Sequence, residues 1–198
     1  MILEENLECI SPRVVLVPPS ESDDAPFAAL RCHPETRRYL PFVPDHCSPQ
    51  EARELRTSRA PDRTRIDFSI YVATQGSPPK YAGAVGILNI NETFNACDAG
   101  ISIVPEYFRA GIATEALYGL LRYAFEDRKL HRVVFHTAIT NIRMRGWLER
   151  FGAPLEGTLR ESLPDGNSGY TDACVYGILE QEWVQVIKAK MEERINGV

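Results

Sequence analysis

The segment of this sequence best suited to chemistry runs Ile101-Ser102-Ile103-Val104-Pro105-Glu106-Tyr107-Phe108-Arg109-Ala110-Gly111-Ile112-Ala113-Thr114-Glu115-Ala116. A strand-like run stops at a proline, a short loop carries one glycine, and a helical pattern begins. Gly111 lets backbone come close to a ligand. The first turn of the helix leaves N–H groups unbonded and carries the positive end of the helix dipole, a combination that binds phosphate. Arg109 adds a formal positive charge beside it. Alone, such a loop is also what any strand–loop–helix connection with a glycine looks like.

Other reactive residue types are less organised. Cys32-His33 and His46-Cys47 are adjacent pairs. They lack the two-to-four-residue spacing with which one loop presents two ligands to a metal, so no metal is expected. His136 sits in a strand-like run ahead of Asn141, where it faces either a substrate channel or solvent. Tyr170 and Tyr176 fall in closing strands and serve equally as core or rim aromatics, and Trp147 and Trp183 lie on apolar helix faces.

The elements that must position these residues follow from hydrophobic period. Leu7 to Val17 reads as one strand, and Asp24 to Cys32 and Ser48 to Ser58 as helices. Ser48, Pro49 and Glu51 supply a capping side chain, a proline at the first helical position and a reciprocal glutamate. Ile66, Phe68, Ile70 and Val72 alternate with polar residues as in a half-buried strand. Ala82–Ile90 and Ala96–Val104 are further strands, with 91–95 as the hairpin loop. Ala116, Leu117, Leu120, Leu121, Ala124 and Phe125 form one stripe of an amphipathic helix. A strand from Arg132 to Thr137, a helix from Asn141 stopped at Gly152, strands at Leu155–Leu159 and Asp172–Leu179, and a helix from Gln181 to Arg194 complete the chain. The short proline stretches, including Ser77-Pro78-Pro79, read as turns within one domain. The fold class is α+β, or mixed α/β, and strand–helix–strand from Ala96 to Thr137 implies a parallel crossover.

Composition narrows the partners. The 198 residues suit one domain, and 44% hydrophobic with 25% charged residues is ordinary for a globular protein. A net charge of -5 without a Lys/Arg run argues against nucleic acid and mildly favours cationic substrates. The five cysteines are odd in number and widely spaced, as in reduced intracellular proteins. No signal peptide and no membrane-length apolar run are read, so a cytoplasmic location without membrane partners is expected.

Taken together, Pro105-Glu106-Tyr107, then Gly111-Ile112-Ala113-Thr114-Glu115-Ala116, then Thr140-Asn141-Ile142 leading to Phe151-Gly152, and Leu155-Glu156-Gly157-Thr158-Leu159-Arg160-Glu161 resemble the GNAT superfamily of N-acetyltransferases in its RimJ/RimL-type branch. The match is good from 82 to 183, the expected acyl-CoA-binding core, and loose over 1–80, where such enzymes build the acceptor pocket. The resemblance implies one domain over 1–198, with a central, mostly antiparallel, splayed sheet flanked by helices. It implies acetyl-CoA as co-substrate, held by the backbones of Ile101 and Ile103, by N–H groups of Arg109, Ala110, Gly111, Ile112, Ala113 and Thr114 around the pyrophosphate, and by the Asn141 side chain. The implied reaction is direct attack of an amine, on a small molecule or a protein N-terminus, on the thioester. A homodimer is compatible with it.

Four positions depart from the family pattern. Phe108 replaces the usual Gln or Arg of the phosphate loop, and Arg109 the usual glycine. Leu148 stands where many relatives carry an acidic Tyr, and Met144 where this branch often carries Ser. For the base, relatives place a carboxylate near the start of the Ala96 strand. Asp98 fills that region, although alternation puts it on the face opposite Ile101 and Ile103, which Cys97 shares. Glu92 and a water chain are the alternatives. The lost acids also leave open a GNAT-fold module that binds acyl-CoA without catalysis.

Overall fold

The computed structural model describes residues 6–40, 42–74, 76–166 and 168–197. The strands are β1 (Leu7–Glu8), β2 (Val14–Val17), β3 (Ile66–Thr74), β4 (Ser77–Asn91), β5 (Ala96–Ile103), β6 (Arg132–Ala138), β7 (Leu155–Pro164) and β8 (Tyr170–Leu179). They form one eight-stranded sheet in the order β1-β2-β3-β4-β5-β6-β8-β7. Every neighbouring pair is antiparallel except β5 and β6. The mixed α/β architecture and the splayed, mostly antiparallel sheet agree with the sequence reading.

The helices are α1 (Asp24–Cys32), α2 (Pro34–Arg37), α3 (Pro49–Arg59), α4 (Ile112–Arg122), α5 (Ile142–Phe151), the single turn α6 (Glu180–Glu182) and α7 (Lys188–Asn196). The helix α4 runs on into a π turn at Tyr123–Asp127, and a second π turn at Trp183–Ile187 joins α6 to α7. The side chains of these two turns interlock. Phe125 stacks on Trp183 with centroids 5.9 Å apart, and Trp183 Nε1 and Lys188 Nζ both donate to Glu126.

The core lies on one face of the sheet. Leu16, Phe68, Ile70, Val85, Ile87 and Cys97 cluster with Leu117, Leu120 and Leu121 of α4 and Ala124 of the turn after it, and Phe135, Tyr176 and Ile178 with Leu148 and Phe151 of α5. Period-2 strands buried against period-3.6 helices give each strand one apolar face. The opposite face carries Asp67, Ser69, Ala84, Gly86, Asp98 and Gly100, which the register places side by side. The helices α1 and α3 pair over its β3–β4 part.

Two expectations change. The single strand at Leu7–Val17 is a hairpin, with Leu7 opposite Leu16, because Ser11-Pro12 turns the chain. Ser77-Pro78-Pro79 is not a turn but the start of β4, with Ser77 opposite Thr74 and the turn tightening to Gly76. Prolines are tolerated there because β4 is paired with β3 only and β5 begins its pairing later, at Gly83.

Candidate active site

The parallel pair β5–β6 holds for three rungs, Ala96 with Arg132, Cys97 with Val133 and Asp98 with Val134. Beyond Asp98 the strands part. Ala99–Ile103 continues in register with β4, and Phe135–Ala138 with β8. The inner backbone edges of Ile101 and Ile103 therefore open onto a wedge-shaped groove.

The loop after β5 lies at the open end of that wedge. Arg109 and Gly111 both have left-handed backbone, φ 65° and 84°. Alternating handedness makes successive N–H groups converge, as in anion-binding nests. The turn is closed by the N–H groups of Phe108, Ala110, Thr114 and Glu115, the second donating to Tyr107 O at 3.3 Å and the third to Gly111 O at 2.9 Å. Among the described residues, no intramolecular acceptor meets the N–H groups of Arg109, Gly111, Ile112 and Ala113. The donors open to a ligand thus number four, since Ala110 and Thr114 spend theirs on the turn.

This loop is held from beneath by a group that sequence inspection passed over. Glu115, buried on the first turn of α4, accepts from Arg13 and Ser11 at the β1–β2 turn, and Arg13 Nη2 also donates to Ala110 O at 3.2 Å. A Cβ at Gly111 would lie 3.3 Å from Arg13 Nη2. Across the groove, Asn141 caps α5 by accepting from Met144 N–H at 3.2 Å, which leaves its amide NH2 uncommitted. Trp147 Nε1 donates to Thr114 Oγ1 at 3.1 Å and ties α5 to α4. The Thr114 hydroxyl is left to donate its own proton elsewhere.

Arg143 was equally hidden. Its guanidinium lies 4.9 Å above the Phe108 ring and 5.7 Å from the Tyr39 ring, and it stands 3.9 Å from Glu35. The loop position held by Phe108 thus has a cation stacked on it from α5.

The face of the sheet opposite α4 carries the other candidates. Asp98 accepts from Asn89 Nδ2 at 2.7 Å, and its Oδ1 is 3.7 Å from His136 Nε2. Both side chains are partly exposed, Asp98 on the last rung before the strands part and His136 two residues beyond its partner Val134. Cys97, Ala99, Ile101 and Ile103 face the core side instead. Burial first, then Asp98 nearby, pushes the Cys97 thiol up to about 12, which removes it as a nucleophile. Glu92 stands exposed in the hairpin turn before β5, at the end away from the groove. Leu148 is fully buried, as is most of Tyr176, whose hydroxyl donates to Glu149 at 2.6 Å. Desolvation and Glu149 raise the Tyr176 pKa, so it is a poor acid. Tyr170 points outward, 67% exposed. Among the described residues no group of three or more His, Cys, Asp or Glu could hold a metal; His33 Nδ1 accepts from Glu35 N–H as the cap of α2. No helix of the described residues is long and apolar enough to cross a membrane.

Residues 13–154 match the family model described as acetyltransferase (GNAT) domain. Over 138 residues the chain is 33% identical to YdaF of Bacillus subtilis (strain 168), provisionally named a ribosomal N-acetyltransferase, covering 69% of this chain and 75% of that one. Two solved structures show the same fold at lower identity. One is spermidine N-acetyltransferase from Vibrio cholerae in complex with CoA and spermine (TM-score 0.79, 23% identity, 88% of this chain and 100% of that one). The other is Mycobacterium smegmatis RimJ in complex with CoA-disulfide (TM-score 0.79, 20% identity, 93% and 89%).

Proposed function

We propose that this chain, which belongs to the GNAT acetyltransferase family, is an acetyl-CoA-dependent N-acetyltransferase of the RimJ/RimL-like branch acting on a primary amine of a small molecule or a protein N-terminus. The observation that carries this is the groove itself: the β5–β6 splay opens at the same place as a loop with four uncommitted N–H donors. An extended pantetheine arm fits backbone edges that lack a strand partner, and a pyrophosphate fits donors that lack an acceptor.

In this reading, Ile101 and Ile103 offer backbone to the thioester carbonyl and the pantetheine amides. The N–H groups of Arg109, Gly111, Ile112 and Ala113 take the pyrophosphate, with the Thr114 hydroxyl beside them. The Asn141 amide donates to the pantetheine arm. Arg143 supplies the positive charge that Phe108 cannot. Residues 82–183 form the acyl-CoA core, and 1–80 shape the acceptor side, where α1 and α3 enclose a cavity of about 70 Å³ lined by Asp23, Arg56, Arg59, Asp67, Ser69 and Ala84.

Chemistry proceeds by attack of the amine nitrogen on the thioester carbon. Backbone N–H groups stabilise the oxyanion and positioning supplies much of the rate. Asp98, on the last rung before the strands part, is the carboxylate this reading assigns to the step. A CoA thiolate is a good enough leaving group to depart without the acid that Leu148 and Met144 do not provide. The same two residues favour a second reading, a module that binds acyl-CoA without transfer.

Calorimetric titration with acetyl-CoA and with CoA, followed by transfer assays on spermidine and on a peptide with a free N-terminus, separates these. One-to-one binding with transfer supports the enzyme. Binding without transfer supports the module, and no binding refutes both.

A further inference from the structure

Resting on the transferase reading, we infer that His136 is the proton acceptor of the reaction and that Asp98 is its positioning residue rather than the base itself. The sheet register carries this. Asp98 and Val134 form the last rung of the parallel pair, and His136 follows Val134 by two residues on the same face. The two side chains meet 3.7 Å apart across the mouth of the groove, on the face away from α4.

The surroundings assign the roles. Asn89 lies at a register shift of β4, with φ 52°, and its side-chain amide holds Asp98 Oδ2 at 2.7 Å. That leaves Oδ1 toward His136 Nε2. At 3.7 Å this is an ion-pair contact, suited to stabilising an imidazolium; closing to hydrogen-bond length with substrate bound, as catalytic contacts do, it would place the proton on Nε2 and leave Nδ1 as the acceptor. His136 is 41% exposed on its side chain, so an amine reaches it, whereas one oxygen of Asp98 is engaged by Asn89 and the other faces the imidazole. From β8, the residue in register with His136 is the apolar Val175; the carboxylate within 4 Å of it is Asp98. Gly100, the next residue on the Asp98 face, has open space above it, since a Cβ there meets nothing within 4 Å.

The step balances without further reactants. The amine nitrogen forms the C–N bond with the acetyl carbon, and one N–H proton passes to the imidazole. The C–S bond breaks with its electron pair on sulfur. The imidazolium releases its proton to water, and the thiolate takes one up. An amine that arrives as ammonium gives a first proton by the same route.

The test is kcat/KM against pH for His136→Gln and Asp98→Asn, with acetyl-CoA and whichever of spermidine or a free-N-terminus peptide the wild type acetylates. Acetyl-CoA affinity is measured alongside. His136→Gln is expected to lower kcat/KM by about 100-fold or more, the usual range for losing a general base, to flatten the acidic limb of the profile, and to leave acetyl-CoA affinity within about 2-fold. Asp98→Asn is expected to lose less and to keep the limb, displaced. A merely structural role would lower the rate at every pH and leave the acidic limb in place. A His136→Gln variant with wild-type rate and profile overturns the assignment while the transferase reading stands. A larger loss in Asp98→Asn than in His136→Gln also overturns it and returns the base to the carboxylate. A wild-type protein that binds acetyl-CoA but acetylates none of these amines overturns both.

Discussion

Replacing Arg143 by methionine tests whether a cation relocated from the phosphate loop still serves it. The side chain is 47% exposed, stacked on Phe108 and 5.7 Å from the Tyr39 ring. A charge-assisted hydrogen bond to phosphate is worth about 1.5–3 kcal/mol. Partial withdrawal from an exposed ring costs about 0.5–1 kcal/mol of cation–π attraction. The difference, about 1–2 kcal/mol, corresponds to roughly 5- to 30-fold in Kd. Methionine keeps the apolar cover over Phe108 while removing the charge, so packing changes little. The assay is calorimetry with acetyl-CoA and with acetyl-pantetheine, which lacks the phosphates. Arg143→Met should weaken the first and not the second, and should reduce the salt dependence of CoA binding, because exposed charges are screened over about 8 Å at physiological ionic strength. Equal weakening of both ligands, or less than a 2-fold change with acetyl-CoA, would show that Arg143 merely packs on Phe108.

Gly111→Ala should cost about 1–2 kcal/mol, the penalty of a side chain in left-handed backbone, and should weaken acetyl-CoA binding, with thermal melts and titration as readouts; Gly146→Ala, where a Cβ meets nothing within 4 Å, should leave the melt unchanged or raised. An unchanged melt and affinity in Gly111→Ala would refute the account of the loop. Thiol reagents at mild alkaline pH should modify the half-exposed Cys32 and Cys47 ahead of the other three, Cys47 slowed because desolvation raises its thiol pKa, since burial pushes Cys9 and Cys97 up to about 12 and Cys174 is buried; mass mapping of the native protein checks this. Burial would raise the Glu126 pKa, but its bonds to Lys188 and Trp183 outweigh that and hold it below the usual carboxylate value. Its stabilising contribution is therefore complete above that value and is lost as pH falls through the lower folded one. Glu126→Gln should flatten the acid limb of melting temperature against pH, and an unaltered limb would refute the role.

Local signals were legible and distant ones were not. The cap at Ser48 appears as a reciprocal bond with Glu51, and the stop at Gly152 as left-handed backbone, because both depend on residues within a turn of each other. The alternation from Ile66 to Val72 picked out the apolar face of β3, but not the burial of Ser69 on the other face, where its hydroxyl donates to Asp23. Asp98 and Cys97 fall on opposite faces as alternation requires. Arg13, by contrast, reaches Ala110 and Glu115 across about a hundred residues, through a hairpin that sequence period read as one strand. Nothing near Arg13 in the chain announces this. The meeting of Asp98 with His136 depends on the parallel register between two strands that α4 separates in the chain. The Arg143 position needs α2, α5 and the loop together, and α2 is too short to show a period.

The three rungs between β5 and β6 make the sheet a laminate with a seam. On one side stand β1 to β5, on the other β6 to β8, joined by those rungs and by the helices packed behind them. An arm lying along the parted edges would be a short stretch of ninth strand made of something other than polypeptide. Filling the seam should then stiffen both halves together. At a hundredfold excess over Kd, ligand linkage adds about 2.7 kcal/mol to stability. Amide protons of Ala99–Ile103 and of Phe135–Ala138 should slow in exchange as one set, though no hydrogen bond of the protein's own joins those segments.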